Sequence, residues 1–261
     1  METDYLIQHR IENYRRKHQQ VIYIPQKHNH YAIVFAHYLL TLTIGFVETR
    51  IFADYTGIPY DYDTPNAIDM TNNYLLFIIH AIVTFKFAYI VCDEYNKLKK
   101  WYFYVIYFAT IPLFSLISDL NFASSISIDE QSIKYWSVSQ WLFICIIVLI
   151  VLTLIIYHIV IAYKINTYAQ QDLTIQRYSL TKTYCFIYIV SILTFVCLYG
   201  FVWIYLVYML TSVQVHLHHW FLFWLLSLFA QFNTTTSISS LAICLGIFTQ
   251  GASVYGLAYI Y

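Results

Sequence analysis

The chain has 261 residues, of which 60% are hydrophobic, 20% aromatic and only 11% charged, with a mean hydropathy of +0.59 and a formal net charge of zero. A soluble globular domain carries about 25% charged residues, so this chain lacks the polar surface that a water-exposed fold needs, and much of its surface must face lipid. Zero net charge excludes the electrostatic footprint of a nucleic-acid binder.

Residues 1–30 are a basic N-terminal segment with Arg10, Arg15, Arg16, Lys17 and Lys27. Tyr5, Leu6, Ile11 and Tyr14 can give it a short amphipathic helix against anionic headgroups, but the simpler expectation is a flank that fixes orientation. Its polar character argues against a cleavable signal peptide. Residues 31–261 are expected to form a single multi-span transmembrane domain. Seven apolar segments follow in it, at about 31–47, 74–91, 101–117, 141–163, 184–209, 215–232 and 241–261. Each predicts a helix, because lipid offers no partner to a free backbone amide, and continuous apolar runs exclude an alternating barrel. The predicted fold is therefore an all-α polytopic helix bundle with seven transmembrane helices. The sixth segment is the weakest: its apolar core, Trp220 to Ala230, is only about 16 Å long as a helix. Six spans plus one re-entrant segment is the alternative.

Lys and Arg set the orientation. The polar stretches before the first, third and fifth spans carry eleven of them, and the alternate stretches 48–73 and 118–140 carry only Arg50 and Lys134. By the positive-inside rule the N-terminus is cytoplasmic. The acidic stretch 48–73, with Glu48, Asp54, Asp61, Asp63 and Asp69, then lies on the opposite side, as does the start of the sixth span.

That start holds the densest chemistry, His216, His218 and His219. On a helix His216 and His219 share a face with Trp220; in an extended segment His216 and His218 do. Either pair supplies half of a tetrahedral zinc or copper site, with His80 or Asp61 as further ligands. The plainer alternative is a polar cap on the sixth span, hydrogen-bonded to headgroups, water or carbonyls. A di-iron desaturase is rejected, since it needs several histidine boxes on the cytoplasmic face.

In the last segment Ser239, Ala242, Gly246, Thr249, Ser253 and Gly256 are spaced 3-4-3-4-3. This is a seam of small residues that lets helices approach closely in lipid, and the sixth span is its expected neighbour. The alternative is a narrow polar pathway with Gln250. Lys86, inside the second span, stands about 7.5 Å of helix rise from Val91 and within snorkelling reach of the interface; its functional alternative is a charge on a transport path. Asn233-Thr234-Thr235 is a glycosylation sequon, cytoplasmic in the seven-span arrangement and external if the sixth segment is re-entrant. The five cysteines lie in or beside apolar segments and read as packing residues, not as a disulfide framework. There is no P-loop, G-x-S-x-G, H-E-x-x-H, arginine ladder or potassium filter.

The run His216, His218, His219, Phe232, Ser237, Gly246, Gly251 and Tyr255-Gly256 resembles the C-terminal membrane block of multi-span LCCL-domain-containing proteins of fungi and protists. It covers residues 216–256, and the LCCL domain itself is absent. The resemblance implies a polytopic membrane block without a settled activity. The residues lead to a multi-pass integral membrane protein, structural or ligand-binding and more a non-enzyme than an enzyme, with the bilayer and a larger membrane assembly as partners. A metal-dependent membrane enzyme and a channel or transporter are the alternatives.

Overall fold

The computed structural model describes residues 31–57, 67–91, 100–118, 134–171, 189–190, 192–194, 197, 219–230, 232 and 234–256, without the side chains of 31, 67–69, 86–91, 164–171 and 219. Among them the secondary structure is helical: besides the helical residues 189–190, 192–194 and 197 lie α1 (Tyr31–Thr56), α2 (Ala67–Val91), α3 (Trp101–Ser118), α4 (Val138–Gln171), α5 (His219–Phe229) and α6 (Thr235–Val254). Three stretches, Ala32–Thr56, Val138–Tyr163 and Thr235–Val254, are long and apolar enough to cross a membrane; Met70–Phe85, Trp101–Ile117 and Trp220–Phe229 are shorter apolar helices. Most of the segment at 184–209 lies outside the described residues.

α6 is the axis of the bundle. It packs most extensively on α3 and α5, then on α1, and touches α2. In its most apolar window 89% of the residues are buried, against 6% for α4. The reason lies in its side chains, whose hydroxyls and amide are poorly suited to lipid and find partners only on neighbouring helices. Apolar α4 has no such need, and Leu142, Ile146, Leu149 and Ile156 are exposed.

Contacts fix the relative directions. Tyr38 meets Phe85 and Phe46 meets Phe77, so α1 and α2 are antiparallel. His37 stacks on Tyr104 and Gly45 abuts Tyr107, so α1 and α3 run the same way. Phe248 lies against Phe77, which meets Phe46, and further along α6 Val254 and Tyr255 pack on Ala53 and Phe52, so α6 runs the same way as α1. α5 returns along α6 through a tight turn, with Trp220 beside Phe248. Aromatic rings fill the shared core: Phe77, Phe85, Phe103, Tyr107, Trp220, Trp224 and Phe248 are all buried.

Two expectations are corrected. The stretch 48–73 is mostly helix: α1 runs on to Thr56 and α2 starts at Ala67, which puts Glu48 and Asp54 on α1 and Asp69 on α2. Thr49, Arg50 and Ala53 are buried against the bundle, and a helix persists through polar residues while one face stays packed. Gly256 is not a member of the helical seam. It follows the C-cap Tyr255 with φ 75°, the left-handed position after a helix end that glycine occupies without strain.

Candidate functional site

The start of α5 lies deep in the bundle. Its first residue is His219, and the next, Trp220, sits edge-on to the imidazole of His80 at 5.8 Å between centroids. His80 lies near the middle of α2, with thirteen residues before it and eleven after it in that helix. Trp224, one turn further along α5, packs on the same ring at 4.7 Å and donates from Nε1 to the His80 carbonyl at 3.1 Å. His80 Nδ1 is 2.8 Å from the Leu76 carbonyl, which makes that nitrogen the protonated one when the ring is neutral. The ring is thereby held by its own helix and boxed by Trp220, Trp224 and Phe248. Trp220 Nε1 is buried without a hydrogen-bond partner. A buried indole donor normally finds an acceptor, so Trp220 offers one proton that no described residue accepts.

His216, His218 and Asp61 lie outside the described residues, and the side chain of His219 is not described. Among the described residues no group of three or more His, Cys, Asp or Glu side chains is arranged to hold a metal ion. Lys86 stands on α2 with its side chain outside the described set. Gln250 is fully buried, with neither amide atom partnered.

The small-residue face is directed differently from expectation. Ala242, Gly246, Thr249 and Ser253 are buried, and Ser239 is partly covered. Their neighbours are α3 and α1, whereas α5 covers the opposite side through Phe248. A Cβ on Gly246 would stand 2.8 Å from Thr110 Cβ and 3.1 Å from the Tyr107 carbonyl oxygen. Thr249 Oγ1 donates to its own Leu245 carbonyl at 2.7 Å, so the 3.0 Å contact with Tyr107 has the phenol donating. Ser253 donates to the Phe46 carbonyl of α1 at 3.1 Å. Short polar side chains thus bond across helices where lipid would leave them bare.

A second histidine, His158, lies within an apolar segment of the sequence, but its partner was not legible there. His158 of α4 is buried; its Nδ1 lies 2.6 Å from the Leu154 carbonyl and its Nε2 3.1 Å from Ser237 Oγ. With Nδ1–H donating to the carbonyl, Nε2 accepts from the serine hydroxyl. The same Ser237 Oγ accepts the Phe232 N–H at 3.0 Å, and the N-cap Thr234 Oγ1 accepts the Ser237 N–H at 3.2 Å. A Thr followed three residues later by Ser at the head of an apolar run is a legible capping signal; the histidine that completes it comes from 79 residues away. No family model, curated protein or solved structure matches this chain.

Proposed function

We propose that this chain is a non-enzymatic multi-pass membrane protein that binds a ligand where the histidine-bearing start of α5 meets α2. The observation that carries the reading is the depth of that start. Trp220 packs on a histidine midway along α2, and its buried indole N–H is left for an incoming acceptor. A helix of 11 residues rises about 16 Å, roughly half of a 30 Å hydrocarbon core.

These directions favour seven spans over six full spans plus a re-entrant segment. Seven spans make α6 run parallel to α1 and α3, as all three are odd-numbered crossings. The packing of the end of α6 on the end of α1 supports that parity, with α5 as part of the sixth crossing. Together with the eleven-to-two bias of basic residues this reading puts the N-terminus in the cytoplasm and the turn before α6 on the same side. The bare apolar face of α4 suits lipid or a larger membrane assembly, and the resemblance of residues 216–256 to an LCCL-protein membrane block suits the same architecture. An ion-conducting path through Lys86 and Gln250 gains no support from a core filled with aromatic rings.

The second reading, a zinc- or copper-dependent membrane enzyme, draws on the same meeting of the start of α5, at Trp220, with His80. One experiment tests both: elemental analysis of purified protein beside a His216/His218/His219 triple-alanine variant. The proposed reading expects no stoichiometric metal and a folded variant. Near-stoichiometric zinc or copper that disappears in the variant overturns it in favour of the metalloenzyme.

A further inference from the structure

α4 is almost bare, and its cover is concentrated at one level. Among its described side chains only His158 and Ala162 are buried; four residues apart, they share a face of the helix. His158 meets the turn between α5 and α6. Phe232 of that turn lies flat against the imidazole, at 6.0 Å between centroids and 23° between planes. The neighbouring Tyr157 Oη lies 3.4 Å from the N-cap Thr234 Oγ1. Between these two contacts His158 Nε2 accepts the Ser237 hydroxyl at 3.1 Å.

That bond needs a neutral ring. Nδ1, 2.6 Å from the Leu154 carbonyl, carries the one proton, which leaves Nε2 as the acceptor. Ser237 Oγ takes the Phe232 N–H at 3.0 Å and gives its own proton to Nε2. A second proton on the ring turns Nε2 into a donor, so that two hydrogens confront each other between Nε2 and Oγ. If the hydroxyl turns aside, the imidazolium still stands against the first turn of α6, of which Ser237 is the third residue. The N–H groups of a helix start already carry partial positive charge, and burial of the ring adds a desolvation cost to the same charge. The titratable side chains described on α4, α5 and α6 besides His158 are Cys145, Tyr157, Tyr163 and Cys244. Tyr157 meets the imidazole edge-on at 5.3 Å, and none of the four is a carboxylate that would balance an imidazolium.

We propose that His158 and Ser237 form an acid-sensitive latch: the neutral imidazole holds the C-terminal half of α4 on the α5–α6 turn, and its protonation lets that half part from the bundle. Attachment is complete at the higher pH and is lost as the pH falls. The latch is separate from the histidine on α2 and requires no ligand there.

The test uses the full-length protein in lipid nanodiscs, with the native cysteines replaced and spin labels at Val160 on α4 and Ile243 on α6, both exposed positions. Pulsed electron paramagnetic resonance reads the distance between the labels from about pH 8 to about pH 5, the range in which an unperturbed histidine charges. In protein otherwise wild type, a shift to longer distance in acid is expected. His158→Gln keeps a neutral acceptor for the Ser237 hydroxyl and should hold the short distance throughout, whereas His158→Ala should show the long one throughout. A wild-type distance indifferent to pH overturns the proposal. So does an acid shift that persists in His158→Gln, which places the sensor elsewhere. A His158→Ala protein that keeps the short distance equally overturns it, because the bond then does not hold α4.

Discussion

At the scale of single residues, Gly246 is the tightest point on α6. The Thr110 side chain and the Tyr107 backbone oxygen occupy the space where a Cβ would go, and a backbone atom cannot rotate away. Gly246→Leu forces α6 off α3 and is expected to lower stability by about 1–3 kcal/mol or more, the range for overpacking a close-fitting interior. Gly246→Ala should cost less than Leu but still destabilise, since Thr110 Cβ, 2.8 Å from the added atom, is fixed to its own backbone and the helices themselves must part slightly. Thermal unfolding of detergent-purified protein, ranking wild type above Ala above Leu, checks this; a Leu variant as stable as wild type would mean that α6 and α3 do not pack here. The importance of small residues at this spacing was legible in the sequence. Their partner was not, because a 3-4 repeat states which face is narrow and says nothing of which helix lies against it.

At the scale of elements, α4 and α6 are opposites. α4 has the higher hydropathy and the least cover, and α6 has the lower hydropathy and nearly complete cover. Trp141 on α4 is exposed and Trp224 on α5 is buried between α2 and its own helix face. Brominated lipids should therefore quench a protein retaining Trp141 alone far more strongly than one retaining Trp224 alone. Equal quenching would show that α4 is covered by a partner chain or that the core is open to lipid. Element ends were harder to read than element centres. Hydropathy falls at Glu48, Arg50 and Asp54, so a sequence rule ends the span there, yet Thr49, Arg50 and Ala53 remain buried and the backbone stays helical. Likewise α6 begins at Thr235 and not near residue 241, since its N-cap is a hydroxyl and not an apolar residue.

At the scale of the whole molecule, the direction of α6 decides the topology. Single cysteines at Thr234 and Ser118, introduced into a background lacking native cysteines, should react with a membrane-impermeant maleimide from opposite sides. Reaction from the same side would make α6 an even-numbered crossing and the sixth segment re-entrant. The presence of helices and a membrane-like composition was open to sequence reading; the direction of α6 was not, since it rests on Val254 meeting Ala53 and Ser253 meeting Phe46, contacts between residues well over a hundred positions apart. The histidine cluster was visible as a local crowd. Its neighbourhood, with His80 boxed by two tryptophans, came from three helices at once.

The enclosure of α6 also bears on how the protein is made. The helix that every wall of the bundle leans on follows all of those walls in the chain, so during synthesis α1, α2 and α3 enter the bilayer before the element that organises them exists. Until α6 arrives, the Tyr107 phenol and the Phe46 carbonyl lack their interhelical partners, and Thr110 faces a vacancy. α6 itself, rich in hydroxyls, has little reason to linger among lipids. Its insertion is best described as a closing step, in which a half-built ring of helices receives its hub.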